Sequence, residues 1–96
     1  MGAGNGKPLK NQEKLEFPVT FELKVVYETI HNKNELMGNT EALLDQCSVV
    51  FSYQSSNSSA KGNYISLTYK VTIVSQEQLN QMYEGLKELP GIKFAL

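Results

Sequence analysis

Residues 64–74 read YISLTYKVTIV and alternate between polar and apolar side chains along their whole length. The apolar positions are Ile65, Leu67, Tyr69, Val71 and Ile73, and the opposite positions are Tyr64, Ser66, Thr68, Lys70 and Thr72. A period of two predicts a β-strand that has one buried face and one solvated face. The strand therefore belongs to a sheet that is covered on one side only.

Three elements are predicted before this strand. VTFELKVVY at 19–27 alternates in the same way, which indicates a half-buried strand. Residues 32–47 carry apolar side chains at helical spacing, and Asn32 followed by Glu35 resembles a capping box. SVVFSYQ at 48–54 is rich in β-branched and aromatic residues, which favours a second strand.

A second helix and a last strand are predicted after it. Ser75 followed three residues later by Gln78 is typical of a helix N-terminus, and Pro90-Gly91 ends that helix. The apolar stripe of the helix consists of Leu79, Met82, Tyr83, Leu86 and Leu89. The final segment IKFAL is predicted to be a short strand in which three apolar side chains share one face: Ile92, Phe94 and Leu96.

The order of these elements predicts an α+β fold. Right-handed crossovers turn β-α-β-β-α-β into a ferredoxin-like sandwich, with an antiparallel four-stranded sheet in the order 4-1-3-2 and two helices on one face. We expect residues 15–96 to form this single domain. The polar, glycine-rich residues 1–14 are predicted to be a disordered N-terminal tail.

Composition excludes several classes of function. All nine basic residues are lysine and the net charge is −1, so the chain has no arginine fork for phosphate or guanine. The single cysteine, Cys47, excludes an iron–sulfur cluster and favours a reduced, cytoplasmic setting. No apolar run is long enough to span a membrane. We find no catalytic constellation, cofactor motif or metal-ligand cluster, and we expect a protein that is not an enzyme.

The segment SSNSSAKG at 55–62 raises two alternatives, a phosphate-binding loop and an RNA-reading strand. A phosphate loop needs Gly-Lys leading into a helix, whereas here Lys61-Gly62 leads into a strand. An RNA-recognition strand needs stacking aromatics where this chain has Asn63 and Ile65, and Tyr64 is one residue out of phase. We therefore predict a mobile hairpin tip, and we keep RNA or another polyanion on the uncovered sheet face as the alternative function.

Two stretches resemble the YbeD-like family of small bacterial domains of unknown function. The first is LEFPVTFELKV at 15–25, and the second runs from KGNY at 61–64 to the end of the chain. The resemblance implies a ferredoxin-like domain similar to ACT regulatory modules, which bind small effectors or pair into dimers. It implies no known reaction, and family members are often encoded near lipoate-attachment functions. One departure is that Tyr27-Glu28 stands where family members usually have glycine after the first strand.

The candidate contact residues lie on the uncovered face of the predicted sheet and at the adjoining hairpin. They are Lys24, Lys61, Gly62, Asn63, Tyr64, Ser66, Lys70 and Lys93. Three of these lysines fall on adjacent strands, which predicts a small basic patch with Tyr64 at its margin. We expect a binding or regulatory module that docks a small ligand or protein partner, without nucleic acid or membrane, as a monomer or weak homodimer. The competing interpretation is a solvated sheet face in which lysines prevent edge pairing.

Overall fold

A computed structural model describes residues 16–96 of the chain. Its six elements are β1 (Val19–Glu28), α1 (Lys33–Gln46), β2 (Val50–Ser58), β3 (Tyr64–Ile73), α2 (Gln76–Lys87) and β4 (Ile92–Ala95). The predicted order β-α-β-β-α-β is thereby confirmed. The predicted disordered tail, residues 1–14, lies outside the described residues.

The four strands form one antiparallel sheet in the order β2-β3-β1-β4, which is the predicted topology. β1 and β3 lie at the centre and pair over ten residues without a register shift, from Val19 opposite Ile73 to Glu28 opposite Tyr64. Their alternations are therefore in phase, and each row of side chains across the two strands belongs to one face. β2 and β4 are the two edges.

Both helices pack on the face that carries the odd-numbered residues of β1 and β3. Twelve side chains of the described residues are fully buried: Leu23, Val25, Tyr27, Leu36, Thr40, Leu44, Leu67, Tyr69, Val71, Ile73, Met82 and Leu86. Burial of each aliphatic side chain stabilises the fold by about 1.5–3 kcal/mol. Tyr27 places its hydroxyl against the Thr40 hydroxyl of α1, and Thr40 in turn donates to the Leu36 carbonyl. The core thus satisfies its own polar groups.

The ends of the helices follow the predicted caps. The Asn32 side chain accepts a hydrogen bond from the Glu35 N–H at 2.8 Å, and Ser75 accepts one from the Gln78 N–H at 3.1 Å. α1 ends in a Schellman motif. The Val49 N–H donates to the Leu44 carbonyl, and Ser48, just after the helix, has the left-handed φ of 60° that the motif requires. These contacts fix where each helix meets the sheet.

The structure corrects the prediction for the hairpin. β2 continues to Ser58 instead of ending at Gln54, so the turn comprises only residues 59–63. The serine-rich segment has no apolar alternation of its own, but the long β3 supplies a complete partner, and Ser58 pairs with Ile65. Cross-strand pairing here outweighs weak intrinsic propensity.

The structure also corrects the prediction for the last strand. A register shift lies between Val26 and Tyr27, where Ile92 pairs with Tyr27 but Phe94 pairs with Val26. Lys93 is the extra residue of a β-bulge, so Phe94 turns to the uncovered face and does not share a face with Ile92. Phe94 is half exposed as a result.

Candidate functional site

The uncovered face of the sheet has a defined side-chain grid where β4, β1, β3 and β2 lie side by side. The middle row runs through Phe94, Val26, Ser66 and Asn57, which are successive cross-strand partners. One row below, Lys24 lies opposite Thr68 and exchanges two main-chain hydrogen bonds with Leu96. We call the cluster of Lys24, Val26, Tyr64, Ser66 and Phe94 the open-face cluster.

Tyr64 stands at the upper margin of the open-face cluster, directly opposite Glu28. Its ring is 40% exposed, and the Lys93 ammonium lies 5.8 Å from the ring centroid. The same ammonium is 3.6 Å from the Glu28 carboxylate. At an exposed site, the attraction between a cation and an aromatic face contributes about 0.5–1 kcal/mol of interaction free energy. Lys93 therefore lies beside the ring, and Glu28 holds the Lys93 ammonium from its other side.

The hairpin tip beside Tyr64 is held to the loop that follows β1. Thr29 donates its hydroxyl to the Gly62 carbonyl at 2.7 Å, and its N–H donates to the Asn63 carbonyl at 3.2 Å. Gly62 has φ 75°, a left-handed conformation that glycine adopts without steric cost. The side chain of Ser59 closes the turn by accepting the Tyr64 N–H. The tip is therefore a hydrogen-bonded turn.

Tyr64 forms a wall of two depressions on this part of the surface. The first, about 300 Å³, lies over the open face and is lined by Lys24, Val26, Asn57, Ser58, Ser59, Tyr64 and Ser66. The second, about 280 Å³, lies toward the loop after β1 and is lined by Glu28, Thr29, Ile30, Asn63 and Tyr64. Small-molecule sites usually have about 300–1,000 Å³, so each depression is at or below the lower end of that range.

Six of the eight predicted contact residues lie at the two depressions or at the turn above them. Lys24, Tyr64 and Ser66 line one depression together, and Asn63 joins Tyr64 in the other. Lys61 and Gly62 are exposed in the turn above them.

The outer two lysines of the predicted basic patch each have a glutamate beside them. Lys70 lies directly opposite Glu22, one diagonal step from Lys24, and Lys93 pairs with Glu28. Opposite charges at such cross-strand distances neutralise each other locally. The described part of this face is therefore of mixed charge, with Lys24 at its centre.

Sequence reasoning missed the apolar members of the face. Val26 carried a usable signal, because it has the same parity along β1 as Lys24. Phe94 carried none, because the bulge at Lys93 reverses its orientation and a bulge has no sequence signature in so short a strand. Leu96, opposite Lys24, is 67% exposed and extends the apolar part of the face.

The covered side of the sheet holds a second polar arrangement. Tyr69 donates its hydroxyl to the Glu41 carboxylate at 2.9 Å, and the rings of Phe51 and Tyr53 meet the Tyr69 ring edge-on. Burial raises the pKa of Tyr69, and the Glu41 carboxylate raises it further. Burial also raises the pKa of Tyr27 and Tyr83. These tyrosines stay protonated near neutral pH and act as structural hydrogen-bond donors or apolar rings.

Tyr27 and Glu28, which depart from the pattern that the family resemblance implies, both make contacts in the fold. Tyr27 is fully buried and directs its hydroxyl to Thr40, and Glu28 faces Lys93. Among residues 16–96, no group of three or more His, Cys, Asp or Glu side chains is placed to hold a metal ion. Within the same residues, neither helix has the length and apolarity needed to cross a membrane.

Comparison with known proteins gives a family and a fold. Residues 12–96 match the family model described as protein of unknown function (DUF493). A UPF0250 protein of Shewanella piezotolerans is 34% identical over 87 residues, covering 91% of this chain and 96% of the relative.

Two solved structures share the fold at low sequence identity. Protein HP0495 of Helicobacter pylori has a TM-score of 0.67 at 13% identity and covers 97% of both chains. The ACT domain of GTP pyrophosphokinase from Chlorobium tepidum has a TM-score of 0.57 at 10% identity, covering 82% of this chain and 96% of that domain. The fold is therefore ACT-like, as the resemblance implied.

Proposed function

The chain belongs to the DUF493 family of proteins of unknown function, and we propose that it is a non-catalytic binding module that docks a partner on the uncovered face of its sheet. The ACT-like fold supports a module of this kind, since the ACT domain it resembles is part of a larger enzyme named GTP pyrophosphokinase. Fold alone does not assign a function, so the proposal depends on the surface itself.

The observation that carries the proposal is the exposed apolar and aromatic surface around Lys24. Tyr64, Phe94 and Leu96 are 40%, 50% and 67% exposed, and Val26 lies between them. Aromatic residues are enriched at protein–protein contacts, where they supply most of the binding energy. The two depressions beside Tyr64 are small and open, so a protein surface fits the face better than an enclosed small ligand does.

The mixed charge of the face argues against the alternative of RNA or another polyanion. Glu22 and Glu28 stand next to Lys70 and Lys93. Affinity for nucleic acid depends on the number of uncompensated cations that neutralise phosphates. A partner with an apolar contact surface and one acidic group near Lys24 fits the same charges. We further propose that the partner acts in lipoate attachment, and this extension depends only on the gene neighbourhood that the family resemblance implies.

The test compares two tyrosines of nearly equal exposure on opposite faces. Tyr64 is 40% exposed on the uncovered face, and Tyr53 is 38% exposed on the helix side. Tagged wild type, Tyr64→Ala and Tyr53→Ala are used to capture proteins from a lysate of the source cell, after circular dichroism has established that each is folded.

We expect at least one protein to be retained by wild type and Tyr53→Ala and depleted about 30-fold by Tyr64→Ala, as for a contact worth about 2 kcal/mol. Identical captured sets from all three proteins would overturn the proposal. The polyanion alternative requires salt-sensitive binding of a single-stranded RNA pool that is lost in Lys24→Glu combined with Lys70→Glu.

A further inference from the structure

A cleft lies between α2 and the edge strand β4, and Tyr64 is not among the residues that line it. Its volume is about 370 Å³, and its lining is formed by Tyr83, Leu86, Lys87, Ile92, Lys93, Phe94 and Ala95. The floor is apolar, since Leu86 is fully buried and Ile92 and Tyr83 are partly buried. Ala95 has the smallest side chain of the lining, so the cleft is open next to it.

Among residues 16–96, the main chain beside this cleft has hydrogen-bonding groups without a partner. Lys24 and Leu96 exchange both of their main-chain hydrogen bonds, at 3.2 and 2.8 Å. Hydrogen-bonded and non-bonded pairs alternate along an antiparallel ladder, so the neighbouring Val25–Ala95 pair is non-bonded. The N–H and C=O of Ala95 therefore point away from β1, toward the open edge of the sheet.

We propose that the edge of β4 at Ala95, together with the α2–β4 cleft, binds an extended peptide segment of a partner protein by strand addition. The segment carries a large apolar side chain that enters the cleft beside Ala95. Side chains two residues apart on a strand share a face. The peptide side chain two residues from the apolar one, toward the end of α2, therefore meets Lys87, where an acidic residue fits. This site shares Phe94 with the open-face cluster, but peptide binding at the Ala95 edge does not depend on a partner on the open face.

Charge and edge length favour a peptide over a second copy of this chain. Two copies joined about a twofold axis through β4 would each bring Lys87 and Lys93 to the same interface, where no carboxylate lines the cleft. Both lysines have a glutamate neighbour outside the lining, Glu84 at 3.3 Å and Glu28 at 3.6 Å, so an acidic peptide residue competes with Glu84 for Lys87. The bulge at Lys93 also restricts the regular free edge to residues 94–96. So short an edge suits a few main-chain hydrogen bonds to a peptide, with the cleft providing selectivity.

The test is a selection of displayed random octapeptides on the full chain. Enriched peptides are then titrated against wild type, Ala95→Pro, Ala95→Gly, Lys87→Glu and Lys33→Glu. Proline at residue 95 removes the outward N–H and breaks no hydrogen bond to β1, because the Val25–Ala95 pair is non-bonded, whereas glycine keeps the N–H. Lys33 is an exposed lysine at the start of α1 that does not line the cleft, and it serves as the charge control.

We expect the selection to enrich peptides that carry an apolar residue and an acidic residue two positions apart. Their affinity should fall at least tenfold in Ala95→Pro and about fivefold in Lys87→Glu, and stay unchanged in the glycine and Lys33 variants. Equal binding to wild type and Ala95→Pro, or no enrichment of that pattern, would overturn the proposal. So would a dimer of the peptide-free chain that Ala95→Pro abolishes, since a second copy would then occupy the edge.

Discussion

Gln78 is the side chain whose removal should test the packing of α2 most sharply. It is 8% exposed, and its amide makes three hydrogen bonds to main-chain groups outside its own helix. Its oxygen accepts the Val74 N–H at 2.8 Å, and its nitrogen donates to the carbonyls of Cys47 and Ser48 at 3.1 and 2.9 Å. One side chain thus joins the start of α2 to the end of α1.

Gln78→Met keeps the length and helix propensity of the side chain but leaves these three main-chain groups without their partner. A buried group that loses its partner costs about 1–3 kcal/mol, and the partial exposure of the site favours the lower end. Three groups at about 1 kcal/mol each, less about 0.5–1 kcal/mol from the added apolar burial, give a loss of about 2–2.5 kcal/mol. This is a large fraction of the roughly 5–15 kcal/mol that stabilises a domain.

The assay is urea unfolding followed by far-ultraviolet circular dichroism, with wild type, Gln78→Met and Gln76→Met measured together. Gln76 lies in the same helical turn, is exposed, and bonds only to the Asn80 side chain among the described residues. Its replacement should change the free energy of unfolding by no more than about 0.5 kcal/mol. A similarly small change for Gln78→Met, at unchanged slope of the transition, would refute the role assigned to its amide.

Three further predictions concern stability. Ser48→Gly should raise the free energy of unfolding by about 0.5–1 kcal/mol, because residue 48 has φ 60° and the left-handed region costs an L-residue about 1–2 kcal/mol. The gain should be measured as a higher urea midpoint, and a lower midpoint would contradict the Schellman geometry. Gly85→Ala should destabilise the chain by about 1 kcal/mol despite the better helix propensity of alanine, because the added Cβ meets the Leu43 side chain. Calorimetry should show that this loss is relieved when Gly85→Ala is combined with Leu43→Ala. Strictly additive effects of the two substitutions would contradict the contact. Alkaline pH should destabilise the chain, because tyrosines whose pKa is raised in the fold keep their protons above about pH 10 while the same tyrosines in the unfolded chain release them. The free energy of unfolding therefore falls by up to about 1.4 kcal/mol per pH unit for each such tyrosine. These tyrosines are Tyr27, Tyr69 and Tyr83. Urea midpoints at pH 8, 10 and 11 measure the effect, and a midpoint that does not change with pH would contradict it.

The central part of the fold could be predicted from local sequence patterns. β3 alternates over ten residues, Asn32 and Ser75 cap their helices as expected, and the sheet order follows from the handedness of the crossovers. The edges could not be predicted in the same way. Residues 55–58 become strand only because β3 lies beside them, and the bulge at Lys93 depends on pairing with β1.

The same distinction applies to the candidate site. Tyr64, Lys24 and Ser66 were predicted to share the uncovered face, because parity within β1 and β3 is a local property, and the structure brings them together. Phe94 and the pairing of Lys93 with Glu28 were not predicted, since both result from the register shift in β4. The surface that looked basic in sequence is in fact partly apolar and of mixed charge.

Photo-crosslinking in the source cell tests the proposed docking face most directly. Benzoylphenylalanine is introduced at position 64 in one strain and at position 53 in another, since these tyrosines are almost equally exposed on opposite faces of the sheet. We predict a discrete crosslinked protein adduct from position 64 that is absent from position 53. No adduct at position 64, or the same adducts from both positions, would contradict the account.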